Sequence, residues 1–182
     1  MTVRLGSLDL TPYDASLVAP PTAALLATRP DLAGPAVTVA IDPGLADTAA
    51  LTEHFDLAPE VSGNCIVLLG RRAGEERVAA CVVLSHTRAD VNGTARRAIE
   101  ARKVSFAPQD RAVDMTGMEH GGITPVGLPA DWPILVDAAV LDQPWVLLGS
   151  GLRRSKLALP GALVADLPGA VVVEGLGRPA GD

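Results

Sequence analysis

Met118-Glu119-His120-Gly121-Gly122-Ile123-Thr124-Pro125-Val126-Gly127-Leu128-Pro129 is the stretch on which the architecture turns. Two adjacent glycines lead into Thr-Pro and a further glycine. A glycine has no Cβ and tolerates positive φ, so the backbone here can approach another group closely. Pro125 then fixes the direction of the chain leaving the pair. Two readings follow from the residues. The segment can be a structural turn between strands. It can also aim backbone N–H groups at an oxygen on which negative charge develops during acyl transfer.

Working outward, the segments on either side alternate between short strands and short helices. Gln109 to Met115 reads as a helix entering the loop, and Lys103-Val104-Ser105-Phe106-Ala107 as a strand before it. Further back, Cys65–Leu69 and Val78–Leu84 form a hairpin across a polar turn containing Arg71, Arg72, Gly74, Glu75 and Glu76. Both runs are almost continuously apolar, which predicts a sheet covered on both faces. Asp90 or Asn92 is placed to cap a helix through Ala101, and Asp47-Thr48 to cap one reaching Phe55. Ala36–Ile41 is the one strand expected in the Pro- and Ala-rich first 44 residues. After the loop, Ile134–Leu141, Trp145–Gly149, Lys156–Leu159 and Val171–Val173 read as strands, with Pro160 opening a helix. The pattern predicts an α+β domain around a curved mixed sheet. It spans residues 1–176 as one unit, with 177–182 as a flexible tail.

Composition narrows the possibilities. Of 182 residues, 48% are hydrophobic and 3% aromatic, so the core is built from Val, Leu, Ile and Ala. A net charge of −6 argues against a generic nucleic-acid-coating protein. Local basic clusters remain at Arg96, Arg97, Arg102 and Lys103 and at Arg153, Arg154 and Lys156; either is also compatible with a solvated face. Cys65 and Cys81 lie in apolar runs, as expected of buried thiols in a reducing compartment. No secretory signal or membrane span is legible. A cytoplasmic location is therefore expected.

Four features in order resemble the YbaK/ProX family of free-standing aminoacyl-tRNA deacylases, relatives of the editing domain inserted in bacterial prolyl-tRNA synthetases. They are the Cys65–Leu84 hairpin, Lys103-Val104-Ser105-Phe106-Ala107-Pro108, Gly121-Gly122-Ile123-Thr124-Pro125-Val126-Gly127, and Gly149-Ser150-Gly151 leading to Lys156-Leu157. The resemblance covers about Asp47 to Leu176. It implies an α+β fold with a mixed barrel-like sheet and short flanking helices, and neither metal nor organic cofactor. The implied reaction is hydrolysis of the ester joining a wrong amino acid to the 3′ end of tRNA. Such an activity has a physical purpose, because a synthetase pocket rejects near-isosteres of a small apolar amino acid by only ~1–3 kcal/mol.

On this reading Gly121 and Gly122 form the carbonyl clamp, and Thr124 and Pro125 shape it. His120 stands at the pocket edge, and Gly149, Ser150 and Gly151 border the same pocket. Ser155 or Lys156 falls where relatives place a polar side chain that reaches the substrate. One departure stands out. Many relatives carry a functional lysine just before the first hairpin strand, in a pattern like Val-Ala-Lys-Thr-Leu-Val; here Ser62-Gly63-Asn64-Cys65-Ile66-Val67 puts Asn64 at that place. An asparagine supplies hydrogen bonds but no cation. Arg102, Lys103 and Lys156 are the cations available to replace it. The runner-up functions are a non-catalytic protein that binds aminoacyl-tRNA or a small acyl ligand, and a hydrolase of small esters.

The three histidines, His54, His86 and His120, have no metal-ligand spacing. Ser85 and His86 are expected on opposite faces of a strand, which argues against a nucleophilic pair. Asp137, mid-run among aliphatic residues, needs a partner if buried. Neither the amino acid removed nor the oligomeric state is legible.

Overall fold

The structure is a computed structural model and describes residues 2–179. It is a mixed α+β fold whose sheets curl into a half-barrel with short helices around it. One sheet is antiparallel throughout, in the order β1 (Val3–Leu5), β2 (Leu8–Pro12), β3 (Val37–Ala40), β10 (Ser155–Leu159), β9 (Val146–Gly149). The other is mixed. Its order is β11 (Ala170–Val173), β8 (Ile134–Asp137), β5 (Glu75–Leu84), β4 (Gly63–Arg72), β7 (Lys103–Phe106), with β11, β8 and β5 parallel. A bridge between Ser62 and Leu147 and the Leu147 N–H to Val61 C=O bond join the start of β4 to β9.

The unbroken apolar runs of the hairpin are explained by what lies on each side. Ala80, Val82 and Leu84 enter the main core between the sheets, with Leu26, Leu148 and Leu157. Ala79, Cys81 and Val83 alternate to the opposite face, where Val91, Ala95, Ile99 and Leu176 cover them. A third cluster closes the first sheet, with Leu8, Leu10 and Val37 beneath Leu51 of α3 (Thr48–Phe55).

Several elements differ from the sequence reading. The first 44 residues hold three strands and two helices, α1 (Pro20–Thr28) and α2 (Pro30–Ala33), where one strand is expected. The prolines there open helices, since the first helical turn has no use for an N–H at those positions. The run Ile134–Leu141 is strand only to Asp137 and then turns into a short helix, α5 (Ala138–Leu141), a change that a continuous apolar run conceals. Asp137 has the structural partner that burial demands: its carboxylate accepts the Leu176 N–H at 3.2 Å. Asp90 caps a π-helical turn, Val91–Ala95, that continues into α4 (Arg96–Ala98). Gly177–Pro179 is paired as β12 with β6 (Thr87–Ala89), in place of the flexible tail expected from 177; the end of that expected tail, 180–182, lies outside the described residues.

Candidate functional site

Where the sheets meet, a cleft of about 300 Å³ opens between the start of β4, the start of α3 and the glycine loop. Its walls are built from five separated pieces of chain. Asn64, Cys65 and Ile66 come from β4, and Ala46, Asp47 and Thr48 from the entry to α3. His120, Gly121 and Ile123 come from the glycine loop, Gly149 from β9 and Lys156 from β10.

Asp47 caps α3, accepting the Ala49 N–H at 2.9 Å. That fixes the neighbouring Thr48, whose hydroxyl donates to Asn64 Oδ1 at 2.9 Å. With its oxygen so engaged, Asn64 has its NH2 free to donate into the cleft. Lys156 is 6% exposed, and its ammonium donates to the Ala46 carbonyl at 2.8 Å. Burial pulls its pKa down to about 8; the Asp47 carboxylate works against that shift and Arg153 with it. The cleft therefore holds a cation that gives up its proton close to physiological pH. Cys65 also lines it, but burial raises the pKa of its thiol, which leaves it protonated and a poor nucleophile.

The glycine loop is held from behind. Arg153 donates to the His120 carbonyl and to the Pro43 carbonyl, each at 3.1 Å, while its own N–H donates to Glu119 at 2.6 Å. Gly121 has φ +79°, and a Cβ there would lie 2.7 Å from the Arg153 guanidinium. Gly149 likewise admits no side chain: a Cβ would stand 2.6 Å from the Ile123 carbonyl oxygen and closer still to that of Gly122. The β9 backbone thus presses directly on the loop.

Of the residues singled out by sequence, Asn64, His120, Gly121, Gly149 and Lys156 are brought together around the cleft. The others lie behind it. The Gly122 N–H is taken by the Glu119 carbonyl at 2.9 Å and its C=O by the Gly151 N–H at 2.7 Å, so of the two glycine amides expected to form the clamp only that of Gly121 has no partner among the described residues. Thr124 and Pro125 are buried, and the Thr124 hydroxyl accepts the Val126 N–H at 3.4 Å, shaping the loop from within. Ser150 and Ser155 are fully buried and bond each other at 2.9 Å; Ser155 also donates to the Leu17 carbonyl at 2.6 Å. Gly151 is buried against Ala19. These residues support the cleft and do not face it.

Arg102 and Lys103 are exposed at the far end of the β4–β5 hairpin, which leaves Lys156 as the candidate replacement cation that points inward. Ser85 and His86 occupy a turn, and both approach the Pro59 carbonyl, at 2.9 and 3.4 Å, so each is engaged away from the cleft. Among the described residues, no three His, Cys, Asp or Glu side chains converge as metal ligands, and no helix is long and apolar enough to cross a membrane. Sequence reasoning read Asp47-Thr48 only as a helix cap. The signal for its second task is that the cap sits opposite Asn64, and sequence spacing does not show that.

The curled sheets thus leave a small, polar-rimmed cleft at the seam, lined by one buried ammonium and by Gly121. The sequence profile of the aminoacyl-tRNA editing domain matches residues 42–167, and the chain belongs to that family. The fold agrees. A proposed trans-editing enzyme for prolyl-tRNA synthetase superposes with a TM-score of 0.73 at 21% identity, over 88% of this chain and 99% of that one. The hypothetical protein APE2540 does so with a TM-score of 0.68 at 20% identity, over 78% and 90%. No protein of curated function matches the sequence.

Proposed function

We propose that this chain hydrolyses, in trans, the ester that joins a mischarged small amino acid to the 3′ end of tRNA, with prolyl-type tRNA as substrate. The observation that carries this reading is Lys156. The resemblance leads one to expect a lysine at position 64, and the chain has Asn64 there, yet an ammonium enters the same cleft from β10.

The residues divide the work as follows. The ester carbonyl lies between the Gly121 N–H, the Asn64 NH2 and the Lys156 ammonium. Water adds to the carbonyl carbon and negative charge builds on the carbonyl oxygen, where fixed donors in a dry cleft are most effective. The bond to the ribose oxygen then breaks, the proton released by the water ending on that oxygen. Ile66, Ile123 and Cys65 supply an apolar wall for the amino-acid side chain. A single donor of this type is worth roughly 10²–10³ in rate.

The test is deacylation of tRNAPro charged with Ala, Cys, Ser or Thr by the native chain, Lys156→Met and Asn64→Lys. Hydrolysis by the native chain and at least a hundredfold loss in Lys156→Met are expected. Activity that appears only in Asn64→Lys would favour the second reading, an aminoacyl-tRNA binder, which the missing lysine at 64 supports. Hydrolysis of small esters with no preference for charged tRNA would overturn both.

A further inference from the structure

The acidic chain segregates its charge. Residues 71–111 carry nine of the fifteen Lys and Arg but five of the twenty-one Asp and Glu, a net +4 within a total of −6. Six of these cations, Arg71, Arg72, Arg96, Arg97, Arg102 and Lys103, are exposed around two adjoining grooves that share Arg72, Ala73 and Arg102. Three carboxylates lie among them, too few to balance the six: Glu75 and Glu76 face Arg72 and Arg71 across the hairpin, and Glu100 lies in one groove. Glu100 pairs with Arg72 at 3.4 Å and Arg77 at 3.6 Å, and Glu76 pairs with Arg111. Among the described residues, Arg71, Arg96, Arg97, Arg102 and Lys103 form no ion pair. Moreover, the register sets Arg71 directly opposite Lys103 across β4 and β7. Like charges facing each other in a sheet are destabilising, and an anion between them would relieve the repulsion.

A second observation lies on the same sheet. Phe106 is 62% exposed in a chain with two phenylalanines, so its ring contributes little to the core. It sits opposite Leu68 on β4. Asn64, Ile66, Leu68, Gly70 and Arg72 alternate to one face of β4, whose middle is covered by Val91, Ala95 and Ile99, so the open surface is the edge strand β7 that carries Phe106. Asn64 and Ile66 line the cleft and Arg72 lines both grooves. The order along the strand is therefore cleft, aromatic ring, cations, and the eight steps from Asn64 to Arg72 span about 26 Å.

We propose that the β7 edge of this sheet is the RNA-holding surface of the protein, with the duplex phosphates of the acceptor arm on the arginine grooves and an unpaired base of the 3′ end on the Phe106 ring. The assignment rests on the tRNA reading above and extends it beyond the cleft. Stacking on an exposed aromatic tolerates any base, and phosphate contacts supply salt-dependent affinity without reading sequence. Both suit a protein that must reach an ester at the end of a tRNA.

The experiment measures binding of fluorescein-labelled, uncharged tRNA across a salt series, using the native chain, a triple variant (Arg96→Gln, Arg97→Gln, Arg102→Gln) and Phe106→Ala. The triple variant should bind more weakly, with the slope of log K against log salt reduced by about 2–3. Phe106→Ala should lose roughly tenfold for tRNA with an intact 3′ end and nothing for tRNA trimmed of its single-stranded terminus. Native affinity and slope in the triple variant would overturn the proposal, as would a Phe106→Ala loss that ignores trimming. The hydrolysis reading fails separately: a native chain that binds tRNA through this face but deacylates nothing removes the enzyme and leaves the surface.

Discussion

Replacing Lys156 by methionine should make the protein at least as stable at neutral pH while removing its activity. Methionine keeps an unbranched apolar stem of nearly the same length and deletes the charge. The fall in the Lys156 pKa from 10.5 to about 8 means that keeping the ammonium in the cleft wall costs about 3 kcal/mol at pH 7. Against this, the variant strands the buried Ala46 carbonyl that Lys156 satisfies, at a cost of about 1–3 kcal/mol. The expected balance at pH 7 lies between zero and about 2 kcal/mol in favour of the variant. The pH dependence gives the sign. Below pH 8 the lysine is protonated in both folded and unfolded chains, and the whole cost is present. Between about 8 and 10.5 the unfolded chain binds more protons, so native stability rises with pH relative to the variant. Above 10.5 only the lost hydrogen bond remains, and the variant is the less stable protein. Urea denaturation of both proteins at pH 7 and pH 10.5 measures the difference. A gap that stays constant between the two pH values would refute a buried, charge-destabilised lysine, and with it the cation assigned to the cleft.

Four further outcomes are expected. If the ammonium is the active form, kcat/KM for deacylation should fall tenfold for each pH unit above about 8, and a rate still rising at pH 9.5 would argue against it. Gly149→Ala should destabilise the fold by about 1–3 kcal/mol, because β9 cannot move away from the Gly122 and Ile123 carbonyls without loss of pairing; thermal melting measures this. Arg153→Ala should loosen the glycine loop and lower kcat by about tenfold or more with little change in melting temperature, since its side chain ties the His120 carbonyl of the loop to the Pro43 carbonyl. Cys65 and Cys81 should react slowly with a thiol reagent at pH 8, burial having raised both, Cys81 to about 12; rapid labelling of the folded protein would contradict it.

The parts of the fold legible in the sequence are those where local pattern and final burial agree. The hairpin Cys65–Leu84 is continuous because both of its faces are covered, and Asp47 caps the helix its side chain suggests. The β1–β2 pair was not legible, because strands of three and five residues give alternation too little room to register. Nor was the switch at Asp137, where an apolar run changes period without a glycine or proline to mark it. For the site, the glycine loop could be found because a chemical requirement leaves its trace in consecutive residues. The inward turn of Lys156 and the outward turn of Arg102 and Lys103 depend on which strand faces the seam, a fact of three-dimensional register. The resemblance places Ser150 and Ser155 at the pocket, while in the fold each spends its hydroxyl on buried partners.

The Lys156–Ala46 and Arg153–Pro43 bonds each join residues 110 positions apart, and Arg153 reaches His120 across 33. A cleft assembled from such distant pieces has no local nucleus, and its closure must wait for the slow, high-contact-order pairing of β3 with β10. In hydrogen exchange, the Gly122 and Gly151 amides should behave like core strand amides and not like loop amides, opening only when the whole domain does. The cleft would then be as long-lived as the native state itself, and a charged tRNA would meet it either fully formed or absent.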